Sequence, residues 1–239
     1  MDQAAPVTAR QVGARAVIPL FPLGTVLVPG LVLPLHVFEP RYRRLVHDLL
    51  TRREDDRSFG VVAIREGREV GADGVTATYA VGTLAVVREV VPYADGRFDL
   101  MTNGDARFRV IGPAGSDAPY PMAEVEWLAE DEAGDAPEAG LLAAGVRRRF
   151  AAYRAAVTAA GAVEAAQMLE LPDDPRLLSY VVAVAMVLDL SDRQLLLEAA
   201  TTSDRLRREV ALLGRETMLV RQIPSLPAVD LARTPSGSN

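Results

Sequence analysis

His36 and His47 are the side chains best suited to proton transfer or metal binding, because imidazole titrates near neutral pH and ligates through its neutral nitrogen. Neither stands in an HExxH or HxH spacing, so neither has a ready second ligand. Both fall on a predicted strand or helix, where a structural role is the plainer reading. The carboxylates gather in Glu54-Asp55-Asp56 and Glu130-Asp131-Glu132. Two carboxylates that meet only in space could work as a hydrolytic pair. These runs lie in predicted loops and read as solvated turns. Arginine clusters at Arg147-Arg148-Arg149 and from Arg205 to Arg208. Such runs could hold a phosphate or an acidic partner. Consecutive residues of a helix point in different directions. The plainer reading is therefore a solvated face with acidic neighbours four residues on, such as Arg205 with Glu209.

Absences narrow the chemistry further. There is no cysteine, which removes disulfides, thiolate metal sites and a cysteine nucleophile. All 26 basic residues are arginine. Without lysine the chain has no Walker-type phosphate loop, no Ser-Lys dyad and no Schiff base. No Gly-x-Ser-x-Gly elbow and no Gly-x-Gly-x-x-Gly fingerprint occurs. The residues point to no enzyme, no cofactor and no metal.

The 239 residues carry a net charge of -6, which argues against a protein that grips nucleic-acid phosphates. Met1 to Arg15 lacks the apolar stretch of a secretory signal, and no run is long enough to cross a membrane. A soluble cytoplasmic protein is expected.

The elements that must position these residues come in two kinds. From Ala16 to about residue 130, short runs of Val, Leu, Ile, Phe and Tyr are bounded by Gly, Pro and Asp, the signature of strands. They cover 16–20, 31–37, 58–64, 79–91, 97–103, 107–111 and 122–128. Asp95-Gly96 is a hairpin signal, because glycine tolerates the positive φ of a tight turn. Pro40 opens one helix, with Tyr42, Leu45, Val46, Leu49 and Leu50 as its stripe. Residues 129–138 read as an acidic linker. Beyond it Leu142, Val146, Phe150, Tyr153 and Val157 share a helix face. Asp174-Pro175 opens a second helix, a capping box over Ser191 to Gln194 a third, and Thr202 or Ser203 a fourth. The expected organisation is a disordered 1–15, a β-domain over 16–130, a helical bundle over 131–222 and a mobile tail over 223–239. That is an α+β chain with its strands first.

One stretch is distinctive. Ile18-Pro19-Leu20-Phe21-Pro22-Leu23 is followed by Val28-Pro29-Gly30, then by Leu33-Pro34-Leu35-His36-Val37-Phe38-Glu39-Pro40-Arg41-Tyr42. Later landmarks keep their order: Phe59-Gly60-Val61-Val62, Glu69-Val70-Gly71, Val81-Gly82-Thr83, Asp95-Gly96-Arg97, Gly104 to Val110, Pro119-Tyr120, and Leu188-Asp189-Leu190 before Gln194 to Glu198. The ordered set, over roughly Val17 to Arg221, resembles the substrate-binding N-terminal domain of Lon protease, in its small stand-alone form. The resemblance implies a PUA-like β pseudo-barrel with one helix, followed by an α-helical bundle. It also implies a non-catalytic role in capturing unfolded or partner polypeptides. The ATPase and Ser-Lys peptidase of Lon do not carry over.

Prolines at 19, 22, 29 and 34 remove backbone donors, so their segment suits sheet edges and loops better than an uninterrupted central strand. Its apolar side chains are too many for an ordinary surface loop. Most should fold into the core and against the helix from Tyr42 to Leu50. Others should remain as an exposed patch beside a strand edge, where an extended peptide could add as a further strand. The expected contact residues are Phe21, Pro22, Leu23, Val28, Pro29, Leu31, Phe38 and Arg107. Arg107 and Arg109 alternate with Phe108 and Val110, which places the arginines on one strand face. The expected partner is an unfolded or partner polypeptide, with the chain a monomer or weak dimer. The alternative is a PUA-like RNA-binding adaptor.

Overall fold

The computed structural model describes residues 11–67, 75–129, 137–160 and 170–222. Most of the expected disordered N-terminus, the Glu130-Asp131-Glu132 run and the tail from 223 lie outside the described residues.

The β-rich part contains β1 (Arg15–Leu23), β2 (Val32–Val37), β3 (Ser58–Gly67), β4 (Val75–Thr78), β5 (Val81–Pro92), β6 (Phe98–Pro113) and β7 (Met122–Trp127). They form one seven-stranded sheet in the order β1-β7-β6-β5-β3-β4, with β2 paired to β6. The expected barrel is thereby corrected. β1 is the strand that would have to close it, and β1 has different partners along its length. Residues 15–19 run antiparallel to β7, whereas residues 20–23 run parallel to β3. Among the described residues β4 pairs only with β3 and β2 only with β6, so both stand as edges of an open, mixed sheet. The partner change also accommodates Pro19 and Pro22 within β1. With one neighbour at a time, a proline nitrogen can face the unpaired side without losing a ladder bond.

Pro40 does stand at the start of α1 (Pro40–Leu50). Tyr42, Leu45, Val46 and Leu49 are buried against the sheet, and the Phe21 ring stacks on Tyr42 at 4.0 Å between centroids. Each such large apolar side chain contributes about 1.5–3 kcal/mol on burial.

The C-terminal bundle comprises α2 (Pro137–Ala159), α3 (Pro175–Ala185), α4 (Leu190–Leu197) and α5 (Thr202–Gln222). The Asp174 carboxylate accepts from the amides of Arg176 and Leu177, as the Asp-Pro order predicts. The start of α4 differs from the expected capping box. Asp189 is the cap and accepts from the Asp192 amide, while Gln194 is buried and reaches across to the Val81 carbonyl at 3.0 Å. Arg205 and Glu209 differ too. Neither lies on a solvated face; both are buried in the bundle. Arg205 donates to the Leu196 carbonyl, the Ser179 hydroxyl and the Tyr180 hydroxyl at 3.1, 3.0 and 2.8 Å.

Sheet and bundle meet through Val26, Val28, Ala63 and Val81 on one side and Tyr180 and Leu197 on the other. Arg107 joins them. Its Nη1 donates to the carbonyls of Leu197 and Ala199, each at 2.8 Å, and its Nη2 to that of Ala129 at 2.9 Å. Strand alternation does separate it from Phe108, but the face expected to be solvent is the one the bundle covers.

Candidate functional site

The apolar segment from Phe21 to Leu31 is almost wholly internal. Phe21, Pro22, Leu23 and Val28 are buried, and Pro29 and Leu31 are partly covered. Phe21 and Leu23 belong to the core under α1, whereas Val28 belongs to the contact between sheet and bundle. The turn at Gly30 is held against β6: the Gly30 amide donates to the Gly104 carbonyl and the Gly104 amide to that of Leu31. A Cβ on Gly104 would lie 2.2 Å from the Val28 carbonyl oxygen, so only glycine admits this approach. Five of the expected contact residues (Phe21, Pro22, Leu23, Val28 and Arg107) are therefore structural in this conformation, a correction to the exposed patch and exposed arginine pair expected above. Phe38 is exposed.

Around Phe38 a different surface assembles. Along β2 the side chains alternate, with Leu33, Leu35 and Val37 turned toward the core and Val32, Pro34 and His36 exposed. Pro34 is in register with Met101 of β6 and His36 with Asp99, and Asp99 is also in register with Val91 of β5. Val32, Phe38, Val91, Tyr93 and Met101 are all exposed. The surface thus continues across three strands from the unpaired edge of β2.

A polar cluster fixes its far end. Asp99 accepts from His36 Nδ1 at 2.6 Å and from the Tyr93 hydroxyl at 2.5 Å. The Tyr93 and His36 hydrogen bonds hold the Asp99 carboxyl below the usual carboxylate range, and the same Asp99 contact raises the Tyr93 phenol. A proton on His36 Nδ1 satisfies Asp99, and Nε2 lies 3.4 Å from Arg97 Nη1. The His36 ring lies 5.9 Å from Tyr93 and 6.2 Å from Phe38. The Asp95-Gly96 hairpin turns as expected, with Gly96 at φ +81°. Arg43 of α1 approaches so closely that a Cβ on Gly96 would fall 2.0 Å from its guanidinium nitrogen.

This arrangement can bind but has little means to react. Asp99 spends both oxygens orienting His36 and Tyr93, and the cluster is open to water. Among the described residues no group of three or more histidines and carboxylates is placed to hold a metal ion, and no helix is long and apolar enough to cross a membrane. Asp95 and Asp99 also disfavour a phosphate backbone here.

His36, Tyr93, Val32, Val91 and Met101 escape a reading focused on the proline-rich run. The period of two from Val32 to Phe38 would have found the first part, since it places Phe38 with His36 and Pro34. The strand register that brings in Tyr93 and Met101 is not written locally.

Residues 17–215 match the ATP-dependent protease La (LON) substrate-binding domain. Lon protease 2 of Sorangium cellulosum is 30% identical over 208 residues, which are 85% of this chain and 25% of that protein. Lon protease 2 of Syntrophobacter fumaroxidans is 30% identical over 80% of this chain and 23% of that protein. The chain thus spans about a quarter of the length of these relatives. The crystal structure of a Lon N-terminal domain protein from Xanthomonas campestris superposes with a TM-score of 0.58 at 28% identity, covering 82% of this chain and 98% of that one. The N-terminal domain of Mycobacterium avium complex Lon protease shares the fold, with a TM-score of 0.59 at 19% identity, over 85% of this chain and 98% of that one.

Proposed function

We propose, from the premise that this chain belongs to the LON substrate-binding domain family, that it is a non-catalytic module that captures unfolded or partner polypeptides in the cytoplasm. The carrying observation is the unpaired edge of β2 beside exposed Val32, Phe38, Tyr93 and Met101. An extended segment added to β2 would gain main-chain hydrogen bonds from the edge and apolar contact from alternate side chains. Selectivity would then rest on the aromatic end, where Asp99 fixes the Tyr93 and His36 rings. Pre-set rings lose little conformational entropy on binding.

Fluorescence anisotropy with a labelled, permanently unfolded polypeptide tests this. Phe38→Ala and Tyr93→Ala are each expected to weaken binding about tenfold, roughly 1.4 kcal/mol. Both residues are substantially exposed, so the variants keep the wild-type unfolding midpoint. Unchanged affinity in both variants would remove this surface from the reading.

A further inference from the structure

A second surface lies on the opposite, helical part of the chain. α2 and α5 leave a groove of about 620 Å³ between them. Its charged lining consists of Arg149, Arg207, Arg215 and Arg221, without one Asp or Glu. That is a marked local inversion in a chain with 32 acidic and 26 basic residues. Apolar contact comes from half-buried Val210 and from Met218, which is 61% exposed, with Leu213 buried beneath them.

The helix period builds this groove. Arg207, Ala211, Gly214, Met218 and Arg221 step by four, three, four and three along one face of α5. The middle of that face carries only small side chains, so a partner backbone can approach closely. Gly214 also lets Arg149 reach over α5: a Cβ there would be 3.1 Å from Arg149 Nη1. The four arginines are not equivalent. Arg207 pairs with Glu138 and Asp204, and Arg215 with Asp192 and Glu216. Arg149 and Arg221 are exposed and form no ion pair among the described residues.

We infer that this groove docks an acidic amphipathic segment of a partner polypeptide, with Asp or Glu on Arg149 and Arg221 and apolar side chains on Met218 and Val210. Charge complementarity selects this occupant. A single strand of nucleic acid would want stacking rings, and the lining has no Phe, Tyr, Trp or His. The chain's own residues 223–239 carry one acidic and one basic side chain, Asp230 and Arg233, so they offer no net charge to the groove. The inference does not depend on the β2 surface.

Two fluorescein-labelled helical peptides decide it, one of Leu, Ala and Glu and one with each Glu replaced by Lys, titrated against the full chain. The acidic peptide binds, the basic one does not, and affinity falls as salt rises from about 50 to about 300 mM. The double variant R149E/R221E lowers that affinity at least about tenfold, and R149Q/R221Q by less, with thermal unfolding unchanged in both. Phe38→Ala leaves it unaltered, which separates a failure here from a failure of the β2 reading. Equal binding of both peptides, or no effect of either double variant, overturns the inference. So does displacement of the acidic peptide by a single-stranded oligonucleotide at equal charge, or a sedimentation shift showing that a second copy fills the groove.

Discussion

Arg107→Ala is expected to lower the unfolding free energy by about 3–5 kcal/mol, the largest loss of any single side chain at the contact between sheet and bundle. The guanidinium donates to the carbonyls of Leu197, Ala199 and Ala129, and Arg107 is 2% exposed. Two of those carbonyls lie at the C-terminal end of α4, Leu197 as its last residue and Ala199 just beyond it, where the unsatisfied C=O groups of a helix end concentrate negative partial charge. Backbone dipoles thus help to hold the cation at the junction. Truncation leaves those carbonyls buried without donors. Lysine would not substitute, since an ammonium cannot fork to carbonyls on both sides as the planar guanidinium does. Urea unfolding measures the loss. Arg109→Ala, two residues away and exposed, serves as the control and should stay within about 0.5 kcal/mol of wild type. Faster amide hydrogen exchange throughout α4 in Arg107→Ala would locate the loosening. A loss below about 1 kcal/mol would mean that water replaces the arginine cheaply, and that the apolar contact of Val26 and Val28 with Tyr180 and Leu197 carries the junction.

Arg107 also shows where sequence reading stops. Alternation along β6 places Phe108 and Arg107 on opposite faces, Phe108 in the sheet core and Arg107 against the bundle. Which face the bundle covers is a fact about residues some 90 positions later, with no local signature. Hence an arginine taken for a surface ligand is an internal tie. The same limit applies to Phe21, Leu23 and Val28. Their apolar density announces burial or binding equally, and only the packing of α1 and α3 decides between them. Signals whose physics is local were legible. Asp95-Gly96 turns a hairpin because glycine alone takes φ +81° beneath Arg43, and Asp174-Pro175 starts α3 because the carboxylate reaches two free amides. Ser191 to Gln194 fits a capping box just as well, but Asp189 caps α4 two residues earlier. Gln194 is then free to seek the Val81 carbonyl across the junction. The open sheet was not legible either, because β1 pairs first with a strand about 100 residues downstream and then with one about 40 away. The family resemblance supplied the order of elements and the bundle, and it overstated closure.

Glu209→Leu is expected to stabilise the chain, by about 1–3 kcal/mol at neutral pH, although it deletes an acidic side chain beside an arginine. Glu209 is fully buried on α5, and among the described residues neither carboxyl oxygen has a hydrogen-bond partner. Burial raises its proton affinity well above the usual carboxyl range, and the opposing pull of Arg205 is the smaller effect. Arg205 has its own partners in Leu196, Ser179 and Tyr180, so it does not need Glu209. The sign of the pH dependence follows. A carboxyl whose folded affinity for protons exceeds the unfolded one, about pKa 4.3, contributes fully when both states are protonated. As pH rises above that value the unfolded chain ionises first, and stability falls until the folded group also gives up its proton. Asp95, Asp99 and Asp189 act in the opposite sense, because their folded values are depressed. Their contribution is complete above the unfolded carboxyl range, so it does not mask the decline at higher pH. Urea midpoints between about pH 5 and pH 9 should therefore fall for wild type and fall less for Glu209→Leu, with the two curves diverging as pH rises. If Glu209→Leu is the less stable protein at pH 8, the carboxylate is ionised in the fold and Arg205 requires it. In that case the pair is a buried ion pair holding the bundle together, and the divergence with pH should vanish.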